Sequence, residues 1–554
     1  MSHRCHRPRA DLRPAKESET ITPGMAQQST SVLGRKIAQS TGIVMASVLL
    51  SRVLGFFREW TVAHQIGSNA VTDAYYAAFT IPDFLNYLVA AGSLSLTFIP
   101  VFSKYLAQEE EDEGWHVFSI VVATMSLLLV AFVVACEIFA PRLVVLIAPG
   151  FGPLEKKHVV FLTRVMLPAQ FCFFMGGILS AVQYAKGRFI IPSLAPLVYN
   201  IGIILGGVLL ASRIGITGFA VGVVAGALTG NFLLQVYGAA RVGAKFHLSF
   251  NVRHPGFILF VKLAIPIMLA LSLPFTDDWI IRWFGSYLQP ASITWLSYAK
   301  ALMRVPLGVV GQAIGVASFP VLAQLYSEKR LDEMNEILHT TTKGLILMLV
   351  PITALTMAES NPLVHLVFSH TRMHESDLTA TAATLVCFSV GMFGWGAQNI
   401  LARGFYATRD TITPAVVGTA MTVLSIPLYW MLVRQAQHLG LAWASSIGIS
   451  VYTVLLYVLL VRRTKDHHAA ELLWFFAKVV AASAAAGLVS WKLSAWLGAH
   501  ISWRTTHGAF VDLSLASVVG LLLTIALAWL FRVRELNRYL SRMFSAVGVG
   551  NGQS

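Results

Sequence analysis

Charge is scarce in this sequence. Of 554 residues, 12% are Asp, Glu, Lys or Arg, about half the share of a soluble domain. Meanwhile 56% are hydrophobic and the mean hydropathy is +0.67. No globular core would hide that much apolar side chain, so a soluble fold is excluded and lipid must solvate the remainder. Cysteine is nearly missing. Cys5, Cys136, Cys172 and Cys387 are scattered with no CxxC spacing, which excludes a disulfide framework and a zinc site. Walker A, GxGxxG and HExxH patterns are absent as well, so no ATP hydrolysis, dinucleotide cofactor or zinc-hydrolase chemistry is expected. Neither a catalytic residue nor a cofactor is assigned. Residues 1–24 are polar and basic, without the apolar stretch of a cleavable signal peptide; Met25 opens a more economical N-terminus.

What the sequence has in abundance is long apolar runs, such as 117–135 and 190–211. Each is long enough to cross the hydrocarbon as a helix, whereas a β-barrel would show short alternating segments. About fourteen spans are predicted, near 41–62, 75–101, 115–140, 158–186, 190–212, 215–242, 257–284, 292–322, 337–360, 376–402, 412–433, 437–461, 470–498 and 508–531. The net charge of +14 is a topology signal rather than a nucleic-acid footprint. With the N-terminus inside, the inner segments hold about 24 Lys and Arg and the outer loops about 7, as the positive-inside rule requires. Arg35, Lys36, Lys186, Arg188, Arg462, Arg463, Lys465 and the run from Arg532 to Arg542 fall inside; 63–74 and 285–291 have none. Both termini are expected in the cytoplasm. The acidic run QEEEDE (108–113) reads as a solvated inner loop.

The chain repeats itself. ILSAVQYAKGRFIIP (178–192) matches ILARGFYATRDTITP (400–414), and TFIPVFSKYL (97–106) matches ASFPVLAQLY (317–326), at offsets of 222 and 220. Two segments at nearly one offset indicate duplication into parallel six-span halves. The expected fold is therefore all-α and polytopic, with two pseudo-symmetric six-helix lobes and two extra C-terminal helices. The expected organisation is a tail at 1–40, lobes at 41–242 and 257–462, the additional helices at 470–531 and a tail at 532–554. Paired lobes are transporter architecture, with the substrate at their interface.

Charges inside the spans are the candidate functional residues, because each costs about 2.5–3.5 kcal/mol to insert. Span 1 carries Arg52, Arg58 and Glu59; span 2 follows Asp73 and contains Asp83; span 7 carries Asp277, Asp278 and Arg282; span 8 carries Lys300 and Arg304. Asp278 and Arg282 are four apart and share a helix face, as do Lys300 and Arg304. Two cations without a local acid point to an anionic substrate, and guanidinium suits phosphate. Arg52, Arg58, Lys300 and Arg304 are the expected substrate contacts; Asp73, Asp277, Asp278 and Arg282 are the expected gate or charge-balancing groups. Asp277 and Asp278 would hold Lys300 and Arg304 until substrate arrives; the alternative is a permanent structural lock. Arg58 and Asp73 are expected to pair near the outer face. Arg52 and Arg58, six apart, lie about 240° around the helix, so they address different points unless Gly55 allows a bend.

SRVLGFFREWTVAHQIGSNAVTDAYYAAFTIPDFL (51–85), APGF (148–151), GRFIIPSLAPLVYN (187–200) and GFYATRDTITP (404–414) together resemble the MurJ (MviN) lipid II flippases, of the multidrug/oligosaccharidyl-lipid/polysaccharide exporter superfamily. The resemblance runs over about 35–540. It implies fourteen helices in two lobes around a cationic cavity. It also implies movement of lipid II, the undecaprenyl-pyrophosphate-linked peptidoglycan precursor, from the cytoplasmic to the periplasmic leaflet of the bacterial inner membrane by alternating access. The partners implied are that lipid-linked glycan and membrane lipid; nothing specifies a coupling ion. Arg52, Arg58 and Asp73 match positions the family treats as important. Asn86, Tyr87, Ala91, Lys300 and Ala301 depart from its charged pattern, and relocation of that charge to Lys300 and Arg304 is expected. The alternatives are a flippase for another polyprenyl-pyrophosphate glycan, a MATE-like exporter, or a polytopic lipid-linked glycosyltransferase.

Overall fold

The computed structural model describes residues 23–87, 93–272, 276–466 and 469–533, and among these it contains helix and no strand. Cys5, Ala91 and the basic run from 534 to 542 lie outside the described residues. Helix α1 (Pro23–Gln65) contains the first expected span and begins well before it, so part of the segment read as a tail is helical. The second span is built from α2 (Ala70–Ala78), α3 (Thr80–Leu85) and α4 (Ser93–Ala107). Helix α5 (Glu111–Ile147) is the third; α6 (Pro153–Met166) and α7 (Ala169–Ala185) share the fourth and step at Pro168. That proline has no N–H to continue the ladder. Helix α8 (Ile190–Ile214) is the fifth. The sixth is α9 (Thr217–Gly226), a π-helical stretch (Ala227–Leu233) and α10 (Leu234–Arg241).

The second half follows the same order. It contains α11 (Pro255–Ser272), α12 (Thr276–Gly285), α13 (Ser292–Ser327), α14 (Leu331–Ala358), a short α15 (Ser360–Phe368), α16 (Glu375–Val390) and α17 (Met392–Ala407). Helical hydrogen bonding then runs through α18 (Ile412–Thr464), but Ala436 and Gln437 leave helical φ/ψ. That turn separates the two spans expected at 412–433 and 437–461. Helices α19 (Ala469–His500) and α20 (Thr506–Leu530) form the terminal hairpin. Among the described residues, nine helical stretches are long and apolar enough to cross a membrane by length and composition. The broken helices supply other spans.

Packing repeats with the sequence. Helix α4 lies on α7 and α13 on α17; α1 lies on α8 and α12 on α18. The α8–α9 pair is close because glycines face one another along its seam. A Cβ on Gly202 would lie 2.4 Å from the Gly226 Cα, and one on Gly206 2.5 Å from that of Gly222. Small residues of this kind let membrane helices approach to backbone contact where lipid gives no hydrophobic drive. Cys136, Cys172 and Cys387 are buried and unlinked, behaving as small apolar residues.

The two bundles are tied together at one end, here called the closed end. The Trp60 indole donates to the Val367 carbonyl (2.9 Å), the Arg372 amide to Ala63 (3.1 Å), the Tyr298 hydroxyl to Gly67 (3.2 Å) and the Gly150 amide to Ser286 (3.1 Å). Gly67 is required there twice over. Its φ is +86°, and a Cβ would meet the Arg372 carbonyl at 2.7 Å. At the opposite, basic end the described polar contacts stay within one bundle. Lys245 pairs with Asp112 at 2.5 Å and His254 with Glu113 at 2.7 Å; Arg463 pairs with Asp410 at 2.7 Å and Lys343 with Glu471 at 2.6 Å. Helix α11 is the exception to the separation, packing on α4 and α5 through Phe257 and Phe260.

A charged seam between the bundles

Lys300 and Arg304 sit on one face of α13, roughly 12 and 18 Å from its start at 1.5 Å per residue. Asp277 and Asp278 open α12 and face them. The Lys300 ammonium bonds to Asp277 Oδ2 at 2.7 Å and to Asp278 Oδ1 at 2.5 Å. Its other side meets aromatic faces, with the Trp395 and Phe388 ring centroids 5.4 and 5.6 Å away, within cation–π range. Asp277 also accepts from the Tyr429 hydroxyl and from Ser445 Oγ at 3.0 Å, both on α18. Among the described residues Arg304 forms one ion pair, to Asp278 at 3.2 Å. Exposure separates the two cations: the Lys300 side chain is 7% exposed and the Arg304 side chain 53%. The four residues expected to meet do meet, but Lys300 is enclosed and Arg304 is open.

Arg52 is exposed too, and it leans onto α13. A Cβ at Gly308 would come within 2.5 Å of the Arg52 Cδ, so this glycine gives the arginine its berth one helical turn beyond Arg304. Arg304 is close enough to act on Arg52 electrostatically, and among the described residues Arg52 has no salt-bridge partner. Two solvent-accessible guanidiniums thus converge with one carboxylate contact between them. This arrangement favours an anion carrying more than one charge.

Other expected pairings are not formed. Arg282 does not turn to Asp278; it bonds to Asp83 Oδ2 at 3.1 Å and Thr80 Oγ1 at 3.3 Å, across the bundles. Arg58 does not reach Asp73. Its guanidinium grips the adjacent Glu59 at 2.5 Å and touches Asn200 Oδ1 at 3.4 Å, while Glu59 also accepts from the Tyr76 hydroxyl. Arg52 and Arg58 therefore address α13 and α8 respectively, as their angular separation requires. Asp73 is buried and accepts from the Thr294 amide (2.8 Å) and hydroxyl (2.6 Å). The residue before α13, Ala291, provides no side-chain cap. Asp73 supplies it from the other bundle, where a carboxylate also meets the positive end of the helix dipole. The partners Asp83, Glu59, Tyr429, Ser445 and Thr294 were not assigned to the site from sequence; only Glu59 and Asp83 carry a visible signal, as acids within spans. Among the described residues, no group of three or more His, Cys, Asp or Glu is placed to hold a metal.

A duplicated helical fold with two accessible guanidiniums at the junction of its halves is the architecture of a polytopic membrane transporter. The family model described as Lipid II flippase MurJ matches residues 62–508. The chain is 26% identical over 507 residues to a probable lipid II flippase MurJ of Vibrio cholerae serotype O1, covering 89% of this chain and 96% of that one. It is 27% identical over 458 residues to the lipid II flippase MurJ of Burkholderia cenocepacia, covering 81% and 88%. Its fold is similar to a lipid II flippase MurJ structure in an inward closed conformation (TM-score 0.73, 21% identity, 89% and 99% covered). It is less similar to an inward-facing multidrug resistance MATE family transporter of the MOP superfamily (TM-score 0.60, 13% identity, 76% and 98% covered). The chain belongs to the lipid II flippase MurJ family.

Proposed function

We propose that this protein moves lipid II across the bacterial inner membrane, from the cytoplasmic to the periplasmic leaflet, as a transporter and not as an enzyme. The observation that carries the proposal is the meeting of Arg52 and Arg304 on α13. A pyrophosphate carries two or more negative charges, and crossing the membrane requires cations placed where the dielectric is low. Arg52 and Arg304 are the accessible part of the grip. Lys300 joins it if Asp277 and Asp278 release it, and Arg58 stands nearer the closed end with Glu59. Asp278 balances Arg304 while the seam is empty, and Arg282–Asp83 (3.1 Å) ties α12 to α3. Asp73 is the closed-end clasp. A MATE-like exporter of cations would be better served by acids than by two exposed arginines.

The basic end, with Lys186, Lys245 and Arg463, is the cytoplasmic one, and both termini lie on that side. The lobes are 41–242 and 257–462, with the hairpin of 470–531 appended. Reporter fusions at residues 110 and 465 would then report cytoplasm, and fusions at 68 and 288 periplasm; reversal at the outer pair overturns the orientation. The functional test is complementation of a strain depleted of its lipid II flippase. Growth with normal shape is expected from the wild-type chain. Failure of a properly inserted protein to sustain growth would refute lipid II as the cargo.

A further inference from the structure

A second charged site lies away from the seam, where the terminal hairpin docks on the second bundle. Glu359 caps the end of α14 and Asp512 sits in α20; each residue is 1% exposed. Both Glu359 carboxylate oxygens are buried without a hydrogen-bond partner, and so is Asp512 Oδ1. The other Asp512 oxygen accepts from the Ser494 hydroxyl at 2.9 Å; Asp512 stands close enough to Glu359 to act on it electrostatically, and the same Ser494 hydroxyl lies beside the Glu359 carboxylate. The surrounding helices are packed to backbone contact. A Cβ on Gly487 of α19 would lie 3.2 Å from the Ala354 carbonyl of α14, and one on Gly520 of α20 2.4 Å from Leu355.

Among the described residues, no Lys, Arg or His forms a salt bridge with Glu359 or Asp512. His365 of α15 is buried, with Nε2 on the Arg504 carbonyl and Nδ1 unpartnered. On the α19–α20 hairpin Lys492, His500, Arg504 and His507 are exposed, and Arg504 leans towards Glu375 at 3.7 Å. Asp377 of α16 is engaged by the Trp295 indole at 3.0 Å. Beside the acids is a cavity of about 510 Å³ lined by Ala358, Ser360, Ser494 and Trp503 among others, which gives small ions a way in. Two adjacent carboxylates cannot stay charged and dry; a buried unpaired charge costs several kcal/mol, and like charges at close range raise that cost.

We propose that Glu359 and Asp512 form a monovalent-cation site, taking H⁺ or Na⁺, at the junction of the terminal hairpin with the second bundle. The bound charge leaves the pair with one negative charge instead of two, and its loss sets the two acids against each other and loosens the hairpin. Two carboxylates and a hydroxyl suit a singly charged ion, and oxygen is the ligand type that hard cations prefer.

The test uses the full chain in nanodiscs, following thermal unfolding by tryptophan fluorescence, with NaCl exchanged for choline chloride at constant ionic strength and with pH varied in choline. A saturable rise in Tm with Na⁺ identifies the metal ion. A pH step without a Na⁺ effect, together with a carboxylic-acid carbonyl band in infrared spectra at neutral pH, identifies the proton. In either case Glu359→Gln and Asp512→Asn, which place neutral isosteres at the pair, lose the response. Ser494→Ala keeps both acids and shifts its midpoint, which retains a test if either amide variant fails to fold. Wild-type insensitivity to both ions, or responses unchanged in the variants, would overturn the proposal.

Discussion

The closed end and the charged seam solve opposite problems with the same helices. At the closed end the bundles are joined by backbone and hydroxyl groups. Gly67, Gly150, Ala63 and Val367 contribute main-chain atoms, and a carboxylate, that of Asp73, is spent on the amide and hydroxyl of Thr294. Such contacts are short-ranged and specific in shape, and each is worth only about 0.5–1.5 kcal/mol net, somewhat more where a charge takes part. In the seam, by contrast, formal charges stand a few ångströms apart in a low-dielectric setting, where they act at longer range. On the function proposed above, the closed end is the gate and the seam the grip: the first is fitted through short-range contacts, the second charged and partly unfilled.

Lys300 marks the border between the two, and its removal gives the largest expected effect. Lys300→Ala leaves Asp277 without its cation and Asp278 with Arg304 alone, a loss of about 3–5 kcal/mol as for other broken buried pairs. Folded, membrane-inserted protein measured by fluorescence size-exclusion chromatography should fall sharply, and Lys300→Arg should retain it. Normal abundance of the alanine variant with transport lost would instead move Lys300 wholly to the grip.

A middling effect is expected at the clasp. Asp73→Ala strands the Thr294 amide in the first turn of α13 at about 1–3 kcal/mol. Cysteine crosslinking between the α1–α2 and α15–α16 loops should show the closed end opening more often. Asp73→Asn, whose Oδ1 can still accept both bonds but without the charge, should sit between. Equal crosslinking in all three would erase the distinction drawn between gate and grip.

The smallest effect belongs to the basic end, outside both regions. Burial pushes the Asp410 carboxyl up, but hydrogen bonds from the Thr413 amide and hydroxyl, the Arg463 charge and the Ile412 amide outweigh it and hold the group below its ordinary value. Its contribution to stability is therefore full above the unfolded pKa, near 3.9, and is lost as pH falls through the depressed folded value. Thermal melts of wild type and Asp410→Asn should differ slightly at neutral pH and converge in acid. A difference that grows on acidification would reverse the sign.

Much of this architecture was legible in the sequence because hydrophobic length and duplication are local, countable properties. The fourteen expected segments and the 222-residue repeat follow from them, and the meeting of Asp277 and Asp278 with Lys300 and Arg304 from the spacing of charges within the spans. The choice of partners was less legible. Arg58 was matched with Asp73 across a hairpin, yet it folds onto Glu59, a neighbour that an ideal helix points elsewhere; Asn200 and Tyr76, from two other helices, fix that geometry. The exposure of Arg304 against the enclosure of Lys300 depends on Trp395, Phe388 and Tyr429, which no spacing rule connects to α13. Short α15 was also missed, since its apolar residues continue the pattern of α14.

The most direct test of the charged grip is binding of lipid II to the purified protein, followed by native mass spectrometry for wild type, Arg52→Ala, Arg304→Ala and Arg304→Lys. A charge-assisted contact to phosphate is worth about 1.5–3 kcal/mol, or roughly tenfold to a hundredfold in Kd. Each alanine variant should weaken binding by that factor, with Arg304→Lys in between, while insertion and melting temperature stay unchanged. Wild-type affinity in both alanine variants would contradict the account.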